Sequence, residues 1–541
     1  MEQDSANEPM NRRLKVLLAL ALVLICGLSL MAFQTRKNGF DNDQHGFLSG
    51  HGMALAASIL SHETPVTVPF MEKYADSDGK VRYLPYTRFP FFSFWFISKA
   101  IESTSSTVMA DQIFVARQLM NVFYLLAMLT AFAALTRLMS DPFASAMATI
   151  LAFSSYPLLY YSDMIFNDTP SLFGMMFAVL LFAFYRRDHT LGWGKSCLAI
   201  IPISMGWQPF AVFGVWIVVD SLFWARSLGW RELASRRIVS LLKRPPVRFA
   251  IVGIVWGIFI LGTQLAMESH VQGVAFMGAD SFKSMMVRLG MANRDEMYQS
   301  FGEGFLNTWP FAKGQGIRLA NVLLPFGATL PRIQPGPRAV LYVCILIASL
   351  ALVWFIAAKR QKDWHAAGLV LFLSGFMWAI PMKFFVAFHE FQAIYYIGAS
   401  LAFYAMASSL VDQRWRQSIA VVVCGLFIVS VWRMNRLKTD ARAYGEAITS
   451  QFQDIRKKLP AGAKLWVNID NYNHQIPAYA VSYFLMGSYM VDKQERADYV
   501  VTAYSDFKTG TPLTHNKHVN IFQMTPIGPN SAATPTKQTE L

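Results

Sequence analysis

The sequence predicts a polytopic α-helical membrane protein with a small α/β domain towards its C-terminal end. Three observations predict it. Of 541 residues, 54% are hydrophobic and only 15% charged, with 43 Phe and a mean hydropathy of +0.33, too apolar for a set of water-soluble domains. The apolar residues gather into runs of membrane-crossing length, and after the last run the pattern changes to short strand-like and helix-like segments. Lys and Arg exceed Asp and Glu by 48 to 34, a net +14. Basic loops on one side of a membrane produce that excess, so membrane lipid is the expected partner and nucleic acid is not.

A helix crosses about 30 Å of hydrocarbon with about 20 residues. About eleven spans follow, near 16–33, 113–136, 141–157, 170–185, 196–207, 209–225, 249–267, 339–358, 366–382, 393–411 and 418–433. The first follows Arg12, Arg13 and Lys15 and has no small-x-small cleavage pattern before Gln34, so it reads as a retained span. With the N-terminus in the cytosol, Arg186, Arg187, the seven basic residues from Arg226 to Arg248, Lys359, Arg360, Lys362, Arg414 and Arg416 all face the cytosol, as the positive-inside rule requires. One long helix over 196–225, kinked at Pro209, would put the seven-residue basic loop outside; two short spans avoid this. Asp220, near the cytosolic end of its span, reads as snorkelling. The four cysteines lie in apolar runs without metal or redox spacing, so neither zinc nor disulfides are expected.

This topology places residues 1–434 in a transmembrane module with outer segments 34–112, 158–169, 268–337 and 383–392. Within the first, FPFFSFWFISKA is too short to span and reads as an interfacial amphipathic helix. Residues 435–525 form the outer α/β domain: Tyr444, Ile448, Phe452 and Ile455 recur at helical spacing, KLWVNI, DYVVTA and VNIFQM read as strands, and 477–486 as a helix. Residues 526–541 read as a disordered polar tail.

Chemistry concentrates at the outer surface. FDNDQHGFLSGHGMAL, residues 40–55, carries Asp41, Asp43 and His45 just beyond the first span, ahead of a helical pattern at Leu48, Leu55 and Ile59. YYSDMIFNDTPSLF puts Asp163 and Asp168 in the loop between the third and fourth spans, and FHEFQAIYY puts His389, Glu390, Gln392 and Tyr396 between the ninth and tenth. One acid at a helix start is ordinarily a cap that stabilises it by about 1 kcal/mol. Acid clusters converging from separate loops on one face, beside a polar aromatic patch, point instead to a site for hydroxyl-bearing substrates.

In order and sidedness these motifs resemble the GT-C superfamily of glycosyltransferases, which includes lipid A aminoarabinose transferases and protein O-mannosyltransferases. The resemblance covers roughly residues 14–410: the acidic motif after the first span, DGKVRYLPYTRFPFFSFW where the family has Tyr, a basic residue and Pro, VARQLMN, and the Asp168-Thr169-Pro170 turn. Two departures stand out. An Asp-Glu pair is replaced by Asp41-Asn42 and Asp43-Gln44, and a basic-Pro-Pro element by Arg88-Phe89-Pro90.

The resemblance implies a sugar taken from a polyprenyl-phosphate carrier and a catalytic base in the first outer loop, at Asp43 or, with a shifted alignment, Asp41. Such a transfer needs a carboxylate to accept the acceptor's proton, cations for the departing phosphate and an apolar groove for the lipid. Asp168 is expected to orient the acceptor or support the base. Arg88, Arg117, Lys313, Arg318 and Arg338 are the phosphate candidates, since a guanidinium matches phosphate bidentately. Asp163, His45, His389, Glu390, Gln392 and Tyr396 are expected to bind substrate. Asp41, Asp43, Asp163 and Asp168 are hard ligands of the kind Mg²⁺ or Mn²⁺ takes, but one phosphate met by Arg and Lys needs no metal, and no cofactor is expected. The acceptor is a glycan, lipid or protein, and the location is a bacterial inner membrane. A transporter or flippase of lipid-linked sugars is the alternative; such proteins place ionisable groups at mid-membrane in repeated broken helices, a pattern not seen in this chain.

Overall fold

The computed structural model describes residues 3–34, 49–50, 52–53, 56, 67–75, 81–85, 91–106, 108–188, 190–228, 242–272, 275, 308–328, 364–379, 390–460, 463–468, 489–490, 494, 497–502, 510–514 and 520–524. Two compact units divide the chain. One comprises Met1–Arg36, Thr87–Ser105 and Phe114–Asp440, and the other Lys37–Tyr86, Ser106–Ile113 and Ala441–Leu541.

The first unit is helical. Its elements begin with α1 (Gln3–Phe33), α2 (Phe91–Ser103), α3 (Met109–Met139), α4 (Pro142–Phe153), α5 (Tyr156–Tyr161) and α6 (Asp168–Tyr185). They continue with the helical run α7 (Trp193–Ile203), α8 (Pro209–Leu228), α9 (Pro245–Gln272), α10 (Thr308–Leu323) and α11 (Trp364–Ala379). A 3₁₀ segment (Glu390–Tyr396), α12 (Ile397–Leu410) and α13 (Arg416–Lys458, whose residues from Ala441 on belong to the second unit) follow.

Among the described residues, six helices are long and apolar enough to cross a membrane: Arg12–Phe33, Met109–Met139, Asp168–Tyr185, Pro245–Ala266, Gln392–Leu410 and Arg416–Asp440. Pro142–Phe153, Trp193–Ile203, Pro209–Leu222 and Ala367–Trp378 are shorter apolar helices. The expected span 339–358 lies outside the described residues. Proline opens several helices, at Pro142, Pro209 and Pro245, where its missing N–H costs nothing. Asp141 caps α4 through Ala144 N and also pairs with Arg416 at the start of α13.

Two sequence expectations change. Asp220 does not simply reach for water: Arg244 grips it bidentately, Nε at 2.7 Å and Nη2 at 2.5 Å, so the charge is neutralised locally. The helix that carries the last expected span does not stop near residue 433: α13 runs unbroken for 43 residues. Hydropathy falls there, but no Pro interrupts the helix. In α2, Phe94, Ile97 and Ile101 are buried while Trp95 stays exposed. Phe96 and Phe94 place their rings 5.6 and 6.4 Å from Phe123 and Phe166, docking α2 on α3 and on the turn before α6.

α12 packs against α4 and α11, and α8 against α11, α9 and α6. The α11–α12 contact depends on Gly398, where a Cβ would stand 2.2 Å from the carbonyl oxygen of Leu371. Backbone cannot yield as a side-chain tip can. Gly398→Ala is therefore expected to destabilise the bundle by about 1–3 kcal/mol, read as a lower thermal midpoint in detergent.

The second unit carries one seven-stranded sheet in the order β2-β1-β4-β3-β5-β7-β6. The expected strands appear as β3 (Lys464–Asn468), β5 (Tyr499–Thr502) and β7 (Asn520–Met524), joined by β4 (Tyr489–Met490) and β6 (Gly510–Pro512). Two strands come from the first outer segment, where none was expected: β1 (Thr67–Ala75) and β2 (Val81–Pro85) form an antiparallel hairpin whose β1 lies parallel to β4. Leu465, Val500, Val501 and Ile521 are fully buried. Burial of adjacent residues in β5 means that both faces of the sheet are covered there. The expected helix at 477–486 and the tail 526–541 lie outside the described residues.

Candidate active site

The loop between the third and fourth spans is short and tight. α5 opens on Tyr156 with Pro157 in its first turn, ends at Tyr161, and is followed by Ser162 and Asp163; Phe166 N then donates to Met164 O at 2.8 Å, and α6 begins at Asp168. Both acids are buried, Asp163 at 1% and Asp168 at 3% exposure. A buried carboxylate is tolerated only where charge or hydrogen bonds replace its water, and the two acids are held in different ways.

Asp163 sits between two cations. Lys438 of α13 places Nζ 2.8 Å from Oδ1 and also donates to Leu159 O at 2.8 Å and Ser162 Oγ at 3.3 Å. Arg117 of α3 brings Nη1 to 3.4 Å from Oδ2. All three side chains are at most 3% exposed. Two long helices thus converge on the same turn.

Asp168 accepts from two neutral donors. Tyr395 donates its hydroxyl to Oδ1 at 2.6 Å and Gln392 Nε2 does so at 3.1 Å, while Trp378 Nε1 donates to Gln392 Oε1 at 3.1 Å. This chain of donors from α11 through the 3₁₀ segment fixes the amide orientation and with it the carboxylate. One turn on, Ser171 Oγ donates to Met205 O at 2.8 Å. Tyr396 donates to Gln315 Oε1 at 2.6 Å, and Tyr404 to Leu323 O at 2.6 Å, fastening α10 to the same region. Tyr395→Phe removes one donor from a buried carboxylate and is expected to cost about 1.5–3 kcal/mol, measured by unfolding in detergent.

No protein-family model and no curated protein sequence matches the chain. Solved structures do. ArnT from Cupriavidus metallidurans bound to undecaprenyl phosphate aligns at 12% identity with a TM-score of 0.55, over 96% of this chain and 99% of that one. Its apo state aligns at 11% identity and 0.52, over the same shares. The chain has the GT-C fold. The Archaeoglobus fulgidus oligosaccharyltransferase tethered to an acceptor peptide aligns more loosely, at 13% identity and a TM-score of 0.46, over 89% of this chain and 64% of that one.

Against the GT-C frame, the sequence-predicted residues separate into groups. The structure brings together Asp163 with Arg117, and Asp168 with Gln392. Tyr396 is buried beside them in sequence but bonded to Gln315, and Arg318 lies half-buried on α10. Lys313 is also on α10, and Glu390 opens the 3₁₀ segment. Asp41, Asp43, His45, Arg88, Arg338 and His389 lie outside the described residues. Of the helix expected after Asp43, residues 49–50, 52–53 and 56 are described and are helical. Among the described residues there is no grouping of three or more His, Cys, Asp or Glu.

Lys438 and Trp378 were missed from the sequence. A signal for Lys438 existed: Arg436, Lys438 and Arg442 follow the last expected span on the face expected to be outside, against the positive-inside bias. Lys438 and Arg442 are buried, at 3% and 2%, so part of that anomalous charge is committed to internal contacts.

Proposed function

We propose that the protein is a membrane glycosyltransferase that moves a sugar from a polyprenyl-phosphate donor to a hydroxyl or amine-bearing glycan, lipid or protein on the outer face of a bacterial inner membrane. The observation that carries this reading is the alignment over nearly the full length of both chains with ArnT bound to undecaprenyl phosphate. The buried, oriented Asp168 at the start of α6 supports it.

In this reaction Asp43, or Asp41, takes the proton from the acceptor as the acceptor oxygen or nitrogen attacks the anomeric carbon. The bond from that carbon to the carrier phosphate breaks, and the electron pair leaves with the phosphate, whose charge basic side chains stabilise. Direct displacement inverts the anomeric centre. Asp168, held by Tyr395 and Gln392, orients the acceptor or supports the base, with Arg88, Lys313, Arg318 and Arg338 as phosphate partners. Arg117 is directed to Asp163 and acts on that turn.

Purified protein in sealed proteoliposomes, incubated with a panel of radiolabelled polyprenyl-phosphate sugars and a membrane extract, is expected to move label into a new covalent product. Label that crosses the bilayer still attached to its carrier identifies a flippase and ends the reading. Transfer is expected to persist in EDTA; its loss, restored by Mg²⁺ or Mn²⁺, would assign a metal to the outer acids.

A further inference from the structure

Two thiols lie outside the chemistry of the proposed reaction. Cys26 and Cys424 stand 398 positions apart, and no spacing along the chain relates them. The fold brings them into contact: Cys26 of α1 donates its Sγ–H to Cys424 Sγ of α13 at 3.4 Å. Cys424 Sγ in turn lies 3.7 Å from Leu22 O, one turn earlier on α1. Both are free thiols, at 0% and 5% exposure. A buried free cysteine ordinarily serves as a small apolar side chain; two in sulfur-to-sulfur contact across separate spans make a dithiol.

The register of the two helices is fixed on both sides of the pair. On α1, Gly27 approaches α3 so closely that a Cβ would stand 2.3 Å from Leu125 Cδ1, and Met31 O accepts from Gln118 Nε2 at 3.1 Å. α13 is held by ion pairs before and after Cys424, Arg416 with Asp141 and Lys438 with Asp163. The thiols therefore meet between anchored points. Bonded sulfurs stand about 2.05 Å apart, so closing the gap from 3.4 Å takes a movement of about 1.4 Å, within reach of the side chains and small against a helix shift.

Access to the pair is from lipid. Cys26 and Cys424 lie within the apolar stretches Arg12–Phe33 and Arg416–Asp440, each long enough to cross a membrane. Ile25 and Leu28 on α1, and Val421 and Val422 on α13, are exposed around them. Among the described residues, nothing stands within 4 Å of where a Cβ of Gly425 would be, which leaves the flank of Cys424 uncovered. Exposure controls which thiols react. An oxidant dissolved in the bilayer meets Cys424 first, with Cys26 behind it as the resolving thiol.

We propose that Cys26 and Cys424 are a redox-modification site, closed to a disulfide by a quinone dissolved in the bilayer. Two S–H bonds break and one S–S bond forms; the two electrons and two protons pass to the quinone, which leaves as the hydroquinone. The bond ties α1, which leads into the segment of Asp41 and Asp43, to the helix whose Lys438 holds the Asp163 turn. The test exposes the full-length protein in liposomes to a short-chain ubiquinone analogue or to oxidised glutathione, blocks remaining thiols with maleimide in denaturant, and maps peptides by mass spectrometry. The quinone is expected to yield a peptide pair joined through Cys26 and Cys424, which dithiothreitol returns to two thiols. Oxidised glutathione at equal concentration is expected to yield about tenfold less, because it stays in water. Cys197→Ser is expected to leave the yield unchanged, since Cys197 Sγ is turned to Trp193 O of its own helical run, at 3.5 Å. Absence of the joined pair in the wild type, a quinone adduct on Cys424 in its place, or equal yields from the two oxidants overturns the proposal. So does loss of the pair in Cys197→Ser. The readout is a peptide mass and stands whether or not the protein transfers sugar.

Discussion

Asp43→Asn is expected to lower sugar transfer by about 10²-fold or more while the protein still inserts and purifies as a folded species. Asn keeps the shape of the side chain but cannot accept a proton. A carboxylate is a weak base towards a sugar hydroxyl, so its contribution comes as the new bond forms, and the loss should appear in kcat more than in KM. Asp41→Asn, assayed in parallel with the labelled donor that the panel identifies, separates the two alignments. Normal turnover in Asp43→Asn rejects Asp43 as the base. Asp168→Asn tests a different role: Tyr395 and Gln392 both donate to Oδ1, and an amide there weakens both bonds. Its expected signature is a smaller fall in kcat with a rise in KM, because a mispositioned acceptor binds as well as reacts less favourably.

The largest effect on stability is expected at Asp163. Asp163→Ala removes the carboxylate that Arg117 and Lys438 face from α3 and α13, all three at most 3% exposed. Breaking a buried ion pair from one side costs about 3–5 kcal/mol, because the desolvation of the remaining charge is no longer offset. A marked fall in the thermal midpoint in detergent should report it. The pair is not thereby worth that much, and the double variant Asp163→Ala/Lys438→Met separates the two quantities. Removing a cation along with the anion should recover a substantial part of the loss, giving a coupling energy of about 1–3 kcal/mol in the double-mutant cycle. Additive losses would mean that Lys438 and Asp163 do not share a stabilising interaction.

Local patterns carried much of the fold. Ten of the expected spans coincide with helices, and the strand segments at 464–469, 498–503 and 519–524 became β3, β5 and β7, because hydropathy period and β-branched content are properties of neighbouring residues. The hairpin β1–β2 was not legible: TVPFMEKYA contains Pro, Glu and Lys and alternates poorly. It becomes a strand by pairing along its length with β2 and, at Met71, with Met490 of β4. The extent of α13 was misjudged because a drop in hydropathy was taken as an end, when it marks only a change in the helix's surroundings.

For the site, the chain alone marked Asp163, Asp168, Gln392 and Tyr396 as a polar set at the ends of apolar runs, since charge beside hydrocarbon is costly and therefore conspicuous. Sequence by itself determined that this is a multi-span membrane protein with acids gathered at the ends of its spans. Only the tertiary structure decided which partner each acid has: Lys438, 275 positions from Asp163, and Tyr395, 227 positions from Asp168. Burial of an ionisable group is written locally, in one residue and its neighbours. Its neutralisation depends on which distant helix packs across from it, and no period or composition along the chain encodes that approach.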